Sequence, residues 1–388
     1  YVGVNDHEID LFEGQYVVEN GMAYNSYVIM DEKIAVMDTV DARFTHEWLD
    51  NIENIIGSRQ PDYLVIQHME PDHSANIANF MNVYQNTKIV STEKAFAMMR
   101  QFFGTDFEGR KIVVGEGDTL SLGKPNLTFV LAPMVHWPEV MVTYEKTEKI
   151  LFSADAFGSF GAVDGNIFAD EIDDKVAWLA EARLYYTNIV GKFGMSVQGL
   201  LKKAAGLEIR MICPLHSVIW REDLPWLIDK YLKWSSYTPE EKSVTIAYGS
   251  VYGHTEKAAD ILAGKLADRG IRHISVFDVS KTHPSYIIAD AFRTSAIVFA
   301  SITYNGGIFC NMDTLLHQLA AHGLTNRTAA LIQNGTGAAT TSKQMGEILG
   351  TMKNIHVLES DVTIKSALKD NQEAELDALA DAIAASLQ

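Results

Sequence analysis

Apolar and polar positions alternate along this chain in two different rhythms. Over the last 145 or so residues, short apolar runs at 244–248, 274–277, 296–300, 329–333 and 355–358 alternate with amphipathic stretches such as 255–269 and 312–322. Five strand-then-helix repeats of this kind predict a parallel, doubly wound sheet with right-handed crossovers. The earlier part is mixed. Runs at 15–18, 26–30 and 33–37 are spaced as hairpins, and the apolar run 63–67 leads into a polar loop. That pattern predicts an α+β sandwich carrying its chemistry on loops at strand ends. The rhythms change at Tyr237-Thr-Pro-Glu-Glu-Lys242, a polar stretch between an amphipathic helix at 224–234 and a fresh strand. A boundary there gives domains of 1–242 and 243–388. No fixed-period repeat or low-complexity tract interrupts them.

Composition narrows the function classes. The 388 residues suffice for two or three domains, and 47% hydrophobic with 21% charged residues is globular rather than disordered usage. A formal charge of −18 repels phosphate backbones, so no nucleic-acid partner is expected. Two cysteines, Cys213 and Cys310, leave no room for a disulfide framework or a four-cysteine metal site. No apolar run approaches the roughly 20 residues that span a bilayer. The stretch Tyr1–His7 has no basic-then-apolar signal region. The expectation is a soluble, acidic, cytoplasmic protein without a membrane partner.

The densest chemistry follows the run 63–67: His68-Met-Glu70-Pro-Asp72-His73. In extended backbone alternate side chains share a face, so His68, Glu70 and Asp72 are expected to converge. A polar strand-end turn is the plainer reading of such a motif alone. Further along, His136 follows the run 127–131 in Pro-Met-Val-His-Trp-Pro, Asp155 closes Ile150-Leu-Phe-Ser-Ala, and His216 follows Met211-Ile-Cys-Pro-Leu. Any one of these suits a satisfied buried polar residue. Together with the first cluster they form a candidate binuclear site. Three imidazoles and three carboxylates make a mixed nitrogen and oxygen set that suits iron or manganese, although zinc tolerates the same donors.

These motifs resemble the flavodiiron proteins, a branch of the metallo-β-lactamase fold in which Glu stands in for a second His. The intervening counts of 62, 18 and 60 residues between His73, His136, Asp155 and His216 are similar to that family throughout, as are His-Trp-Pro, Ile-Leu-Phe-Ser-x-Asp-Ala-Phe-Gly and Cys-Pro-x-His. The resemblance covers essentially the whole chain. It implies that His68, Glu70 and His136 hold one iron and Asp72 and His216 the other, with Asp155 bridging. His73 either completes the second iron or lies just outside its shell. Trp137 and Phe157 flank ligands as pocket walls or as core. Tyr24 matches a family phrase near the substrate pocket. Ser217 and Ala75 stand where the family often has Gly. The acidic run Asp170-Glu-Ile-Asp-Asp174 reads as a solvated face.

A second constellation lies beyond the boundary. Ser250, Val251, Tyr252, Gly253, His254 and Thr255 join the first strand to a helix, and their hydroxyls and glycine-exposed N–H groups make an anion site suited to one phosphate. An ordinary strand–helix turn is the alternative. Ser301, Ile302, Thr303, Tyr304, Asn305, Gly306 and Gly307 follow 296–300, bringing an aromatic beside glycines. Asn334, Gly335, Thr336 and Gly337 follow 329–333. Three such loops on strand C-terminal ends resemble flavodoxin and imply FMN. The third loop departs from the family, which usually shows a Tyr-Gly-Trp-like sequence where this chain has Gly-Thr-Gly-Ala.

The resemblance implies a metallo-β-lactamase-like αββα sandwich followed by a flavodoxin-like doubly wound sheet. It also implies an oxidoreductase that reduces O2 to water, NO to N2O, or both, with two irons and FMN per chain. A head-to-tail homodimer or a dimer of dimers is expected, because the two cofactors of one chain lie too far apart in this family. With only Cys213 and Cys310, no built-in rubredoxin is expected, so electrons are expected from a separate rubredoxin or a reduced soluble cofactor. Two rivals remain: a zinc hydrolase with an appended flavodoxin, and an electron carrier with a non-catalytic metal site.

Overall fold

The computed structural model describes residues 1–172 and 174–388. The chain divides into two compact units, one of Tyr1–Tyr186 with Phe193–Leu232, the other of Thr187–Lys192 with Lys233–Gln388. The division falls inside the helix Leu224–Ser235. The strand that follows opens at Glu241.

The first unit contains two five-stranded sheets. In one, Tyr27–Met30 and Ile34–Met37 form a hairpin, after which Tyr63–Val65, Lys88–Ser91 and Lys111–Val113 add in parallel. In the other, Thr119–Ser121, Asn126–Leu131, Met141–Glu145 and Ile150–Phe152 make an antiparallel meander, and Met211–Cys213 joins parallel to the last. Side chains from both sheets, including Met37, Val65, Phe129, Met141 and Phe152, share one buried core. Outer helices present a single apolar stripe. In Thr45–Ile56 the buried residues Trp48, Ile52 and Ile56 recur every four positions, which places them on one face. Thr92 caps the helix Glu93–Phe103 by accepting the Ala95 N–H, and Gly104 ends it with a left-handed φ of 72°.

The second unit is built on five parallel strands, Glu241–Gly249, Ser275–Asp278, Thr294–Tyr304, Arg327–Asn334 and Ile355–Ile364, in spatial order 2-1-3-4-5. Alternate residues separate its two cores. Val244, Ile246, Ala296, Val298 and Ala300 face one, while Ala247, Ile297 and Phe299 face the other. A strand covered on both faces needs no polar alternation, and this is why the three central strands read as continuous apolar runs at 244–248, 296–300 and 329–333. The third strand departs from expectation. It continues through Ile302, Thr303 and Tyr304 and turns back to pair with Gly307–Ile308, so much of the expected loop 301–307 is a short hairpin. Backbone pairing here holds polar residues in strand geometry that their side chains do not announce.

Candidate metal centre

The loop after Tyr63–Val65 is fixed by Asp38, a buried residue closing the strand Ile34–Met37. Its carboxylate accepts the Gln67 N–H at 2.7 Å, the His68 N–H at 3.3 Å and the Gln67 side-chain amide at 2.9 Å. Burial pushes this carboxyl up to about 6 against those bonds. Beyond Glu70 the chain does not stay extended, contrary to the expected alternation through Asp72. Pro71, with its φ already helical, opens the short helix Pro71–Ser74. The turn redirects Asp72 and His73. Thr39 then holds the His73 carbonyl, through its N–H at 2.9 Å and its hydroxyl at 2.8 Å.

Two groups of donor atoms result, His68, Glu70, His136 and Asp155 in one and Asp72, His73 and His216 in the other, each group lying within 4.8 Å. In the first, His136 Nε2 is 3.0 Å from Glu70 Oε2 and 3.1 Å from Asp155 Oδ2, and His68 Nε2 is 3.3 Å and 3.4 Å from the same two atoms. In the second, His73 Nε2 lies 3.3 Å from Asp72 Oδ2 and 3.0 Å from His216 Nε2. Asp155 faces both groups, because its other oxygen is 3.2 Å from His73 Nε2 and 3.7 Å from His216 Nε2.

Two of the imidazoles are oriented by acceptors. His68 Nδ1 donates to Glu139 at 2.9 Å and His216 Nδ1 to the Ala23 carbonyl at 2.8 Å. A carboxylate or carbonyl only accepts, so Nδ1 of each ring carries a proton and Nε2 is turned inward. All seven side chains are buried. Their three carboxylates pair with no Lys or Arg among the described residues. Among the described residues both Asp72 oxygens and Asp155 Oδ1 lack a hydrogen-bond partner.

Burying three carboxylates this way costs several kcal/mol each unless positive charge compensates them. The local electrostatics express that demand. Burial opposes ionisation of Glu70, yet the bonds from His136 and His68 hold it well below the usual carboxylate range. Burial pushes the Asp72 carboxyl up to about 8 and, with His73 adding to it, pushes the His216 imidazole down to about 3. Buried, mutually close nitrogen and oxygen donors with orphaned atoms fit a pair of cations, with hard oxygens suiting iron and tolerated by zinc.

Around the centre, Trp137 stands edge-on to His68 at 5.4 Å, and Tyr24 and Tyr185 lie 6.0 Å and 5.4 Å from His216. Phe157 instead packs on Tyr231, whose hydroxyl accepts its N–H. Ser217 has a left-handed φ of 64° and accepts the Trp178 indole N–H, while Ala75 caps a helix at ordinary φ. Asp170 and Glu171 pair with Arg221, and Asp174 caps the helix Lys175–Tyr185; Asp173 of that acidic run lies outside the described residues.

Sequence reasoning missed Asp38, Glu139 and Glu13. Asp38 closes an apolar run as His136 does, and Glu139 directly follows His-Trp-Pro. Glu13, exposed at the turn of the hairpin Leu11–Phe12/Tyr16–Val17, faces Glu70; partial loss of solvent around its carboxyl and then the Glu70 charge push it up.

In the second unit the three candidate loops stand at the C-terminal ends of adjacent strands. Gly253, at φ 84°, donates to Ser250 Oγ at 3.1 Å and leads into the helix His254–Asp268. Buried Thr255 accepts from Asn334 Nδ2 at 3.3 Å, which joins the first loop to the third. Ser301 Oγ accepts the Phe309 N–H, Thr303 Oγ1 accepts the Thr340 N–H, and the Gly306 carbonyl accepts from Gln344. Gly335 is tied to Ile364 through its N–H, and Thr336 bonds Ser366. Tyr252 and Tyr304 are exposed. A long helix N-terminus with a buried hydroxyl, beside two glycine-bearing loops, fits a phosphate and a planar ring.

A two-sheet sandwich with this buried donor set is a metallo-β-lactamase-like unit, and the 2-1-3-4-5 sheet is flavodoxin-like. Comparison with known proteins agrees. The model of the "ODP family beta lactamase" matches residues 22–217. An anaerobic nitric oxide reductase flavorubredoxin of Vibrio vulnificus is 32% identical over 335 residues, 85% of this chain and 67% of that one. The chain thus spans about two thirds of that relative's length. Rubredoxin oxygen:oxidoreductase from Desulfovibrio gigas superposes with a TM-score of 0.93 at 29% identity, covering 99% of this chain and 96% of that one. The flavodiiron protein from Giardia intestinalis gives 0.93 at 26%, covering 100% and 95%. The chain belongs to the flavodiiron protein family. Among the described residues no helix is long and apolar enough to cross a membrane.

Proposed function

We propose that this chain is a flavodiiron oxidoreductase that reduces O2 to water, NO to N2O, or both, with electrons reaching a di-iron centre through FMN. The observation that carries the reading is the pair of buried donor groups facing opposite oxygens of Asp155. His68, Glu70 and His136 would hold one iron, and Asp72, His73 and His216 the other, with Asp155 between them. Two adjacent irons would supply electrons together to bound diatomic substrate, and FMN would accept them from a carrier.

The chain's own residues do the rest. Asp38 and Thr39 fix the ligand loop, and Glu139 and the Ala23 carbonyl hold two rings with Nε2 inward. Trp137 shields one side of His68. In the second unit Ser250, Val251, Tyr252, Gly253, His254 and Thr255 would hold the FMN phosphate. Residues 301–307 and 334–337 would border its ring. We assign the di-iron domain to 1–242 and the FMN domain to 243–388. We also propose a head-to-tail homodimer or dimer of dimers in the cytoplasm, supplied by rubredoxin or a reduced soluble cofactor.

The test is metal and flavin analysis of protein purified without oxygen, followed by O2 and NO consumption with reduced rubredoxin. Two irons and one FMN per chain with substrate consumption support the reading. Zinc filling the site on iron-supplied protein overturns it in favour of a hydrolase, and flavin reduction without gas consumption overturns it in favour of a carrier.

A further inference from the structure

The imidazoles of the centre are not supported alike. His68 Nδ1 donates to a carboxylate, Glu139, whereas His216 Nδ1 donates to a neutral carbonyl, and His73 Nδ1 has no hydrogen-bond partner among the described residues. Glu139 is itself 2% exposed. One of its oxygens accepts both the His68 ring N–H and the Met69 backbone N–H, at 2.9 Å and 2.8 Å, and the other oxygen has no partner among the described residues. No Lys or Arg pairs with it among the described residues. Among the described residues its charge is therefore met only by the ring it holds and by the Met69 N–H.

We propose, resting on the di-iron reading above, that Glu139 makes the two cation positions unequal, so that the His68 side fills first and holds its iron more tightly than the His73 side. The argument is one of charge and orientation. Leaving aside the shared Asp155, the donor group on the His68 side has Glu70 directly and Glu139 through the imidazole, while among the described residues the donor group on the His73 side has one carboxylate, Asp72. A carboxylate behind a ligating ring fixes the tautomer, aims the lone pair and raises the ring's basicity, and losing such a partner typically costs about 10–100-fold in metal affinity. A buried, uncompensated carboxylate also gains most from a nearby cation, because desolvation has already been imposed on it by the fold. The Glu139 backbone is held independently, its carbonyl accepting from the Thr92 hydroxyl at 3.1 Å.

The experiment starts from the iron-loaded, FMN-containing full chain and measures iron retained per chain against free chelator under anaerobic conditions. Wild type is expected to lose its irons in two separated steps. Glu139→Gln keeps an acceptor oxygen for both N–H groups but removes the charge. It is expected to move the tight step about 10–100-fold toward lower chelator while the weak step stays within about threefold. Thr92→Val, which disturbs the same backbone without touching the carboxylate, should lower the melting temperature and leave both steps in place. Glu139→Asp should recover part of the tight step. A single step in wild type, or two unmoved steps in Glu139→Gln, overturns the proposal. A wild type that never holds two irons fails the di-iron reading itself, which the metal analysis detects before any chelator is added.

Discussion

The Nε2 atoms of His73 and His216 lie 3.0 Å apart, with both rings fully buried. His216 spends its Nδ1 proton on the Ala23 carbonyl, so its Nε2 presents a lone pair toward His73. Two buried nitrogens facing each other beside Asp72 are accounted for most simply by a shared cation. His73→Ala and His216→Ala are each expected to lower iron from about two per chain to about one, with FMN content unchanged. Elemental analysis of anaerobically purified variants checks this. Two irons retained in His73→Ala would place His73 outside the coordinating set.

Gly249 ends the first strand of the second unit, and a Cβ there would meet the Phe309 ring at 2.6 Å and Phe309 Cβ at 3.3 Å. The Phe309 N–H also bonds Ser301 Oγ, so displacing this residue disturbs two candidate flavin loops at once. Overpacking of this kind costs about 1–3 kcal/mol. Gly249→Ala is therefore expected to weaken FMN about tenfold without changing iron content, a penalty of about 1.4 kcal/mol. Flavin fluorescence during equilibrium dialysis reads the affinity.

Arg327 is 2% exposed and donates to the backbone carbonyls of Ala291, Phe292, Tyr237, Thr325 and Asn326 at 2.6–3.1 Å. Met in its place fills the volume and strands several of these acceptors. Each stranded buried group costs about 1–3 kcal/mol, so Arg327→Met should destabilise the second unit by about 3 kcal/mol or more. The urea midpoint for loss of bound FMN reports it, and an unchanged midpoint would mean that water replaces the guanidinium.

Much of the candidate site is legible in the sequence because His68, His136, Asp155 and His216 each close an apolar run. A strand end next to a loop is where the fold can aim a polar side chain inward without burying it in the sheet. What the sequence hides is the sharing of that chemistry. Asp72 follows a proline that starts a helical turn, and this turn, rather than strand alternation, carries Asp72 and His73 to a second group. Asp38 and Glu139 act on backbone and rings 30 and 71 positions away, a distance no local pattern spans. In the second unit the strand count and doubly wound class follow from the apolar runs. The order 2-1-3-4-5 and the Tyr304 hairpin depend on pairing between segments.

The two cysteines should differ sharply toward alkylation. Cys213 lies in the strand Met211–Cys213 at 4% exposure, and burial pushes its thiol up to about 12, whereas Cys310 is exposed at the start of a helix. Only the thiolate attacks an alkylating reagent, so at pH 8.5 Cys213 offers roughly a thousandth of the thiolate that an unperturbed cysteine would. Native protein is expected to take up one iodoacetamide per chain, on Cys310, and a second only after denaturation. Peptide mass spectrometry assigns the sites, and rapid native labelling of Cys213 would show that the sheet edge opens. The same shift sets a stability trend. The folded state keeps Cys213 protonated where the unfolded chain ionises, so this contribution is complete below about pH 9 and is lost as pH rises toward 12, by about 1.4 kcal/mol per pH unit. Cys213→Ala should flatten that alkaline loss, and denaturant midpoints for the two proteins between pH 8 and 11 test it directly.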